Sequence, residues 1–135
     1  MGALGGLLSW WDTDKFGMLL AIENKNWLLV KLENKETKEM FWIGNIYGPT
    51  IQAHKENFWT SLEDQCEGKK HIPCYIAGDF NVTISADEII GGSRVRDPFG
   101  KRLEDLTSLW GLIDINPKRG KFTWRNKRIG LERIA

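Results

Sequence analysis

Apolar and polar positions alternate along the first third of the chain and then change period. From Gly5 to Asp12, GGLLSWWD is a short apolar run bounded by glycines and an acid, the pattern of a buried strand. MLLAIENKNWLLVKLE (18–33) and EMFWIGNIYGP (39–49) follow as strand candidates, separated by the charged, turn-like NKETK. Three extended segments in succession predict a meander. Between Thr50 and Cys66 the spacing of Ile51, Phe58, Leu62 and Cys66 fits one face of a helix, with Gly68 placed to stop it. His54 falls on or near that helix, where a partly exposed surface position accounts for it without a catalytic role.

CYIAGDFNVTIS (74–85) reads as a further strand, followed by a polar loop, SADEIIGGSRVRD, in which Gly91 and Gly92 permit backbone conformations other residues avoid. A second helix is predicted by Asp97 as N-cap, Pro98 at the first helical position, a stripe of Phe99, Leu103, Leu106 and Trp110, and Gly111 as the stop. The remainder reads as short extended pieces around a turn at Pro117–Gly120. Strands first and then strands alternating with helices predict a single mixed α/β domain over residues 1–135.

Composition narrows this little. A length of 135 residues, a net charge of +1 and 41% hydrophobic residues suit one globular domain, and the balanced charge by itself predicts neither a nucleic-acid binder nor an acidic scaffold. Seven tryptophans, most beside aliphatic residues, suit a core or a stacking surface built from large rings. Cys66 and Cys74 match no zinc or redox spacing, which makes a reduced, intracellular chain the default while leaving one disulfide between them open. MGALGGLLSWW has neither a basic leader nor a membrane-spanning length, and Gly6 breaks the myristoylation pattern.

Candidate chemistry gathers at two predicted strand ends. On an extended strand Asp79 and Asn81 share a face, about 7 Å apart by the usual rise, while Cys74, Ile76, Phe80 and Val82 face the core. A carboxylate and an amide on one rigid face can hold a water between them or help bind a metal. The alternative is that GDFN is a turn in which both side chains bond nearby backbone, and both readings stand at this point. Asn45 and Tyr47 likewise share a face as their strand runs into Gly48-Pro49, and such a tyrosine can donate to a phosphate oxygen. Lys118, Arg119, Lys121, Arg125, Lys127 and Arg128, interleaved with Phe122 and Trp124, suit a nucleic-acid backbone or, equally, a solvated turn with two core aromatics. Asn81-Val82-Thr83 fits a glycosylation sequon, but no secretion signal accompanies it. DFN lacks the glycine loop and lysine strand of a kinase, and there is no nucleophile elbow or paired-histidine metal motif.

In order, GGLLSWWD, NIYGP, FW..L, GDFN, GG, FTW and the terminal LER resemble the endonuclease/exonuclease/phosphatase family, with the closest likeness to the endonuclease domain of plant LINE-type non-LTR retrotransposons. That family's text runs SGGL..W, N.YGP, fW..L, GDFN, E..GG, FTW and LDR, so the match covers essentially the whole chain. The resemblance implies a four-layered α/β sandwich of two packed mixed β-sheets flanked by helices, incomplete in this chain, with the active site where strand ends meet. It implies magnesium-dependent hydrolysis of a phosphodiester in DNA. Asp79 takes the place of the acid that orients or deprotonates water, and of a weaker metal ligand. Asn81 takes that of the amide that positions the water, and Tyr47 that of the tyrosine beside the scissile phosphate. Thr123 falls at a residue near the phosphate, with Arg125 and Asn126 beside it as phosphate or DNA contacts.

The departures are as informative. The family's upstream Asn and metal-binding Glu, and its downstream Ser-Asp-His segment with the catalytic histidine, have no counterparts in these residues; neither His54 nor His71 takes that histidine's place. Glu132 stands where the family has an Asp that orients it. The expectation is therefore a truncated piece of a nicking endonuclease, inactive alone. The alternatives are a catalytically dead nucleic-acid-binding module and a phosphatase of the same superfamily. DNA is the expected partner, with no membrane and no protein partner, in nucleus or cytoplasm.

Overall fold

The computed structural model describes residues 6–69, 71–84 and 97–115. The chain forms two compact units, Met1–Asn81 and Val82–Ala135. The first holds β1 (Phe16–Glu23), β2 (Trp27–Asn34), β3 (Met40–Tyr47), α1 (Gln52–Glu67) and β4 (Cys74–Asp79); the second holds α2 (Gly100–Trp110). The four strands make one sheet in the order β1-β2-β3-β4, antiparallel up to β3 and parallel between β3 and β4. The architecture is α/β, as expected; a second sheet is not among the described residues.

The meander forms because two asparagines turn the chain. Asn24 Oδ1 accepts from the backbone amides of Asn26 (2.7 Å) and Trp27 (3.0 Å), which divides the 18–33 segment into a hairpin. Asn34 Oδ1 accepts from Glu36 (2.9 Å) and Thr37 (3.2 Å) between β2 and β3. A parallel β4 needs a crossover, which α1 supplies.

The core of this unit lies between α1 and one face of the sheet. Phe58, Trp59, Leu62 and Cys66 are buried on α1, and Phe58 meets Trp27 of β2 at 5.8 Å between ring centroids. Register places Ile46 opposite Trp27, and Gly44 and Ile76 on the next rung but one. Trp27, Trp42 and Trp59 are core residues, whereas Trp10 is 81% exposed. The tryptophans thus divide between core and surface.

The 18–33 segment, expected as one strand, is two, and the meander is β1, β2 and β3 rather than GGLLSWWD, 18–33 and 39–49; two further expectations in this unit are corrected. GGLLSWWD is not a strand over its described residues: alternate positions are half-buried and Leu8 and Trp10 exposed, but the segment has no ladder partner there and is tied by Asn45 Nδ2 donating to Leu8 O at 3.1 Å. Periodicity reported extended backbone, which is not the same as pairing. Ile51, expected on the buried stripe of α1, is the N-cap and is exposed.

In the second unit, the turn Asp97-Pro98-Phe99 precedes α2 rather than forming its first residues. Asp97 Oδ1 accepts from Phe99 N (2.9 Å), and Gly100 opens the helix pressed against the Thr83 carbonyl. Leu106 is buried. Gly111, with φ 60°, ends the helix, and Leu112 N donates to Thr107 O at 2.9 Å, a glycine stop as expected.

Candidate active site at the strand ends

β3 and β4 run parallel and finish on the same rung, Tyr47 paired with Asp79, each the last residue of its strand. In open α/β sheets the carboxyl ends of parallel strands are where ligands bind. Alternation from Ile46, which shares the α1 side with Trp27, puts Tyr47 and Asp79 on the opposite face. Both are exposed.

Main-chain bonds fix this rung. Tyr47 N donates to Asn26 O (2.7 Å), and Asn26 Nδ2 donates back to Tyr47 O (2.8 Å). Gly48 N donates to Asp79 O (2.7 Å). Gly78 adopts φ 142° with the Ile46 main chain where a Cβ would sit, and Gly48 is pressed in the same way against the Phe80 carbonyl.

Beyond Asp79 the strand pattern stops. Phe80 turns to the α1 side and stacks on Trp59, centroids 5.9 Å apart and planes 13° from parallel. Asn81 enters the left-handed region at φ 52°, one of the few conformations of that kind an asparagine tolerates. Its backbone N–H donates to Asp79 Oδ1 (2.9 Å), and its side-chain Nδ2 donates to Gly48 O (2.7 Å). Lys55, 5% exposed on α1, donates from Nζ to Asn81 O at 2.6 Å.

GDFN is therefore a turn, and Asp79 and Asn81 are not side by side on a continuing strand; the left-handed residue ends the alternation. The turn still leaves chemistry available. Among the described residues, Asp79 Oδ2 and Asn81 Oδ1 accept no hydrogen bond, while the donor half of the Asn81 amide is committed to Gly48. What the turn leaves uncommitted is a pair of acceptor oxygens, the type of atom that accepts the O–H bonds of a water.

The other sequence candidates fall elsewhere. Asn45 bonds Leu8 O and does not join the turn. His54 and His71 are exposed. Thr123, Arg125, Asn126, Glu132, the paired glycines Gly91 and Gly92, and the basic segment 118–128 lie outside the described residues. Sequence reasoning missed Asn26, Gly48 and Lys55. Lys55 did carry a signal, because it sits three and four residues before Phe58 and Trp59, a charged residue on the apolar stripe.

Cys66 and Cys74 are free thiols, one buried and one half-buried. Burial pushes the Cys66 thiol up to about 12, with the neighbouring Cys74 adding to the effect, and burial pushes Cys74 up to about 11 against the opposing charge of Lys69. Neither is an activated nucleophile. An open groove of about 650 Å³ lies at the other end of the sheet, lined by Phe16, Phe41, Pro73 and Tyr75 among others, and contains no candidate site residue. Among the described residues no cluster of three His, Cys, Asp or Glu side chains can hold a metal, and no helix is long and apolar enough to cross a membrane.

No protein-family model matches the chain, and no curated protein matches it. Among solved structures it is similar to the human Nocturnin catalytic domain with bound sulfate anion, at 18% identity and a TM-score of 0.40, over 52% of this chain and 32% of that one. The chain thus aligns with about a third of that structure's length.

Proposed function

We propose that the ends of β3 and β4 are the water-activating part of a magnesium-dependent phosphodiester hydrolase, within a retroelement-derived DNA endonuclease. The observation that carries this reading is the Tyr47–Asp79 rung with Asn81 folded back onto Gly48. It gathers at one strand edge three residues that the sequence resemblance marks separately.

The roles follow from the atoms left available. Asp79 Oδ2 accepts one O–H of a water and takes its proton as the oxygen attacks phosphorus. Asn81 Oδ1 accepts the other O–H, which leaves the water's lone pair free to point at the phosphate. The exposed Tyr47 hydroxyl donates to a non-bridging phosphate oxygen. A nick that primes reverse transcription must leave a 3′ hydroxyl, so the bond broken is that between phosphorus and the 3′ oxygen, which departs with the bonding electron pair and takes a proton from solvent water. Asp79 supplies one carboxylate, which fits magnesium only as one ligand among waters and substrate phosphate. Magnesium held there would supply neutralisation of charge on the phosphate.

The metal-binding Glu and catalytic His implied by the resemblance are not among these residues, so the chain alone is expected not to nick supercoiled plasmid in magnesium. The test extends the chain with segments carrying the upstream Asn and Glu and the downstream Ser-Asp-His. Nicking should appear, and Asp79→Asn and Asn81→Ala should each reduce it by about a hundredfold or more, the usual worth of positioned proton transfer. Nicking in the extended chain that survives Asp79→Asn would sink the assignment.

A second reading, a nucleic-acid-binding module without catalysis, is favoured by the basic and aromatic residues between Lys118 and Arg128. It requires DNA binding that weakens steeply with salt and no nicking even in the extended chain.

A further inference from the structure

We propose that Lys55 is a positioning residue for the Asp79–Asn81 turn: its buried ammonium holds the Asn81 carbonyl and thereby keeps Asn81 in the conformation that presents the two acceptor oxygens. The inference rests on the reading of that turn as the functional site, but its geometry stands independently.

A lysine is rarely buried, since its ammonium loses water and must be compensated by strong hydrogen bonds. Lys55 is 5% exposed, on the helix stripe otherwise occupied by Phe58, Trp59, Leu62 and Cys66. What the lysine adds is a charged donor 2.6 Å from Asn81 O.

That carbonyl belongs to the residue least able to hold its conformation unaided. Asn81 has φ 52°, and a left-handed non-glycine residue persists only where its surroundings over-determine it. Three bonds do so here. Asp79 Oδ1 takes its N–H, Gly48 O takes its side-chain amide, and Lys55 takes its carbonyl. The first uses an exposed carboxylate for which water can compete, and the second joins the turn to the neighbouring strand end. The third comes from a buried side chain of α1, where Phe80 stacked on Trp59 pins the intervening residue to the same helix. α1 thus holds the turn from beneath at two consecutive residues, one through a ring and one through a charge.

The experiment is amide hydrogen exchange by NMR on the full 135-residue chain, comparing Lys55→Met, which keeps the length and apolar stem, with Lys55→Arg, which keeps a charged donor. In Lys55→Met the Asn81 amide should exchange about tenfold faster or more, the size expected when a hydrogen bond from a charged donor is lost. Its φ-sensitive scalar coupling should leave the left-handed value, while amides of the β2–β3 ladder keep their protection. Lys55→Arg should restore much of the Asn81 protection. Unchanged Asn81 exchange and coupling in Lys55→Met would overturn the proposal, as would a uniform loss of protection through the sheet, which would make Lys55 a general stability residue. If Lys55→Met does not fold, Lys55→Arg with an Asn81 no more protected than an open turn has the same overturning force. No arm uses nicking, so failure of the proposed activity and failure of this positioning role are separately visible.

Discussion

Tyr47 and Asp79 are paired on the last rung of the parallel β3–β4 ladder, and what holds them there are bonds to their main-chain groups rather than to their own side chains. Asn26 clamps both main-chain groups of Tyr47, and Gly48 N donates to Asp79 O. Their side chains project from a frame that does not depend on them. Tyr47→Phe should therefore change unfolding free energy by no more than about 0.5 kcal/mol, as for surface positions generally. Asp79→Asn keeps an Oδ1 acceptor for the Asn81 amide and should cost about 1 kcal/mol or less. Urea midpoints check both, and a large loss in Tyr47→Phe would mean that the hydroxyl is a structural group.

The two glycines beneath that rung are a different case. A Cβ at Gly48 would meet the Phe80 carbonyl, and one at Gly78, where φ is 142°, would meet the Ile46 main chain. Backbone cannot swing aside as a side chain can. Gly48→Ala and Gly78→Ala should each destabilise by about 1–3 kcal/mol, the range for overpacking, with Gly78→Ala the worse because it adds an unfavourable dihedral. Chemical denaturation measures this. A neutral Gly48→Ala would show that the strand ends lie farther apart than the 2.7 Å bond from Gly48 N to Asp79 O allows.

Trp59 is fully buried and stacked on Phe80, yet its indole Nε1 has no hydrogen-bond partner among the described residues. An unmet buried donor costs about 1–3 kcal/mol, comparable to what the smaller ring of phenylalanine loses in contact. Trp59→Phe should therefore come out within about 1 kcal/mol of the parent, the two terms nearly cancelling. Leu62→Ala, one turn further along the same stripe and with no such offset, should cost about 2–5 kcal/mol. Equal losses in the two variants would show that the indole nitrogen is satisfied in solution.

Much of this unit was legible in the sequence because its signals are local. The 39–49 run and the helix stripe through Phe58, Leu62 and Cys66 are periodic patterns, and Gly68 ends α1 where expected, though at φ −76°, a conformation open to any residue; in the second unit Gly111 is a stop that works through its own left-handed backbone. The hairpin inside 18–33 was less legible, since Asn24-Lys25-Asn26 lacks the glycine that usually marks such turns and works instead through the Asn24 side chain. GGLLSWWD misled because alternation reports an extended backbone and says nothing about a ladder partner. At the site, Tyr47, Asp79 and Asn81 could be nominated from sequence, but the Asn81 bond to Gly48 crosses 33 positions and no local pattern encodes it. For the same reason Lys55 could be noticed as a charge on an apolar stripe while its partner could not.

The thiols give a prediction with a definite sign. Cys66 is raised from an ordinary 9.0 to about 12 and Cys74 to about 11, in both chiefly because burial disfavours the thiolate. The folded state therefore holds these protons to higher pH than the unfolded chain does. Their contribution to stability is fully present below pH 9.0 and is lost as pH climbs through about 11 and then about 12, because the unfolded thiols ionise first. Lysines and tyrosines titrate over the same range, so the useful comparison is with Cys66→Ala. That variant should be less stable at neutral pH through lost packing, yet its stability should fall less steeply between pH 9.0 and about 12 than the parent's. At pH 8 both thiols should alkylate slowly with iodoacetamide in the native protein and rapidly in urea. Parallel pH profiles for the two proteins, or fast native alkylation of Cys66, would place that thiol in contact with water and remove it from the core beside Leu62.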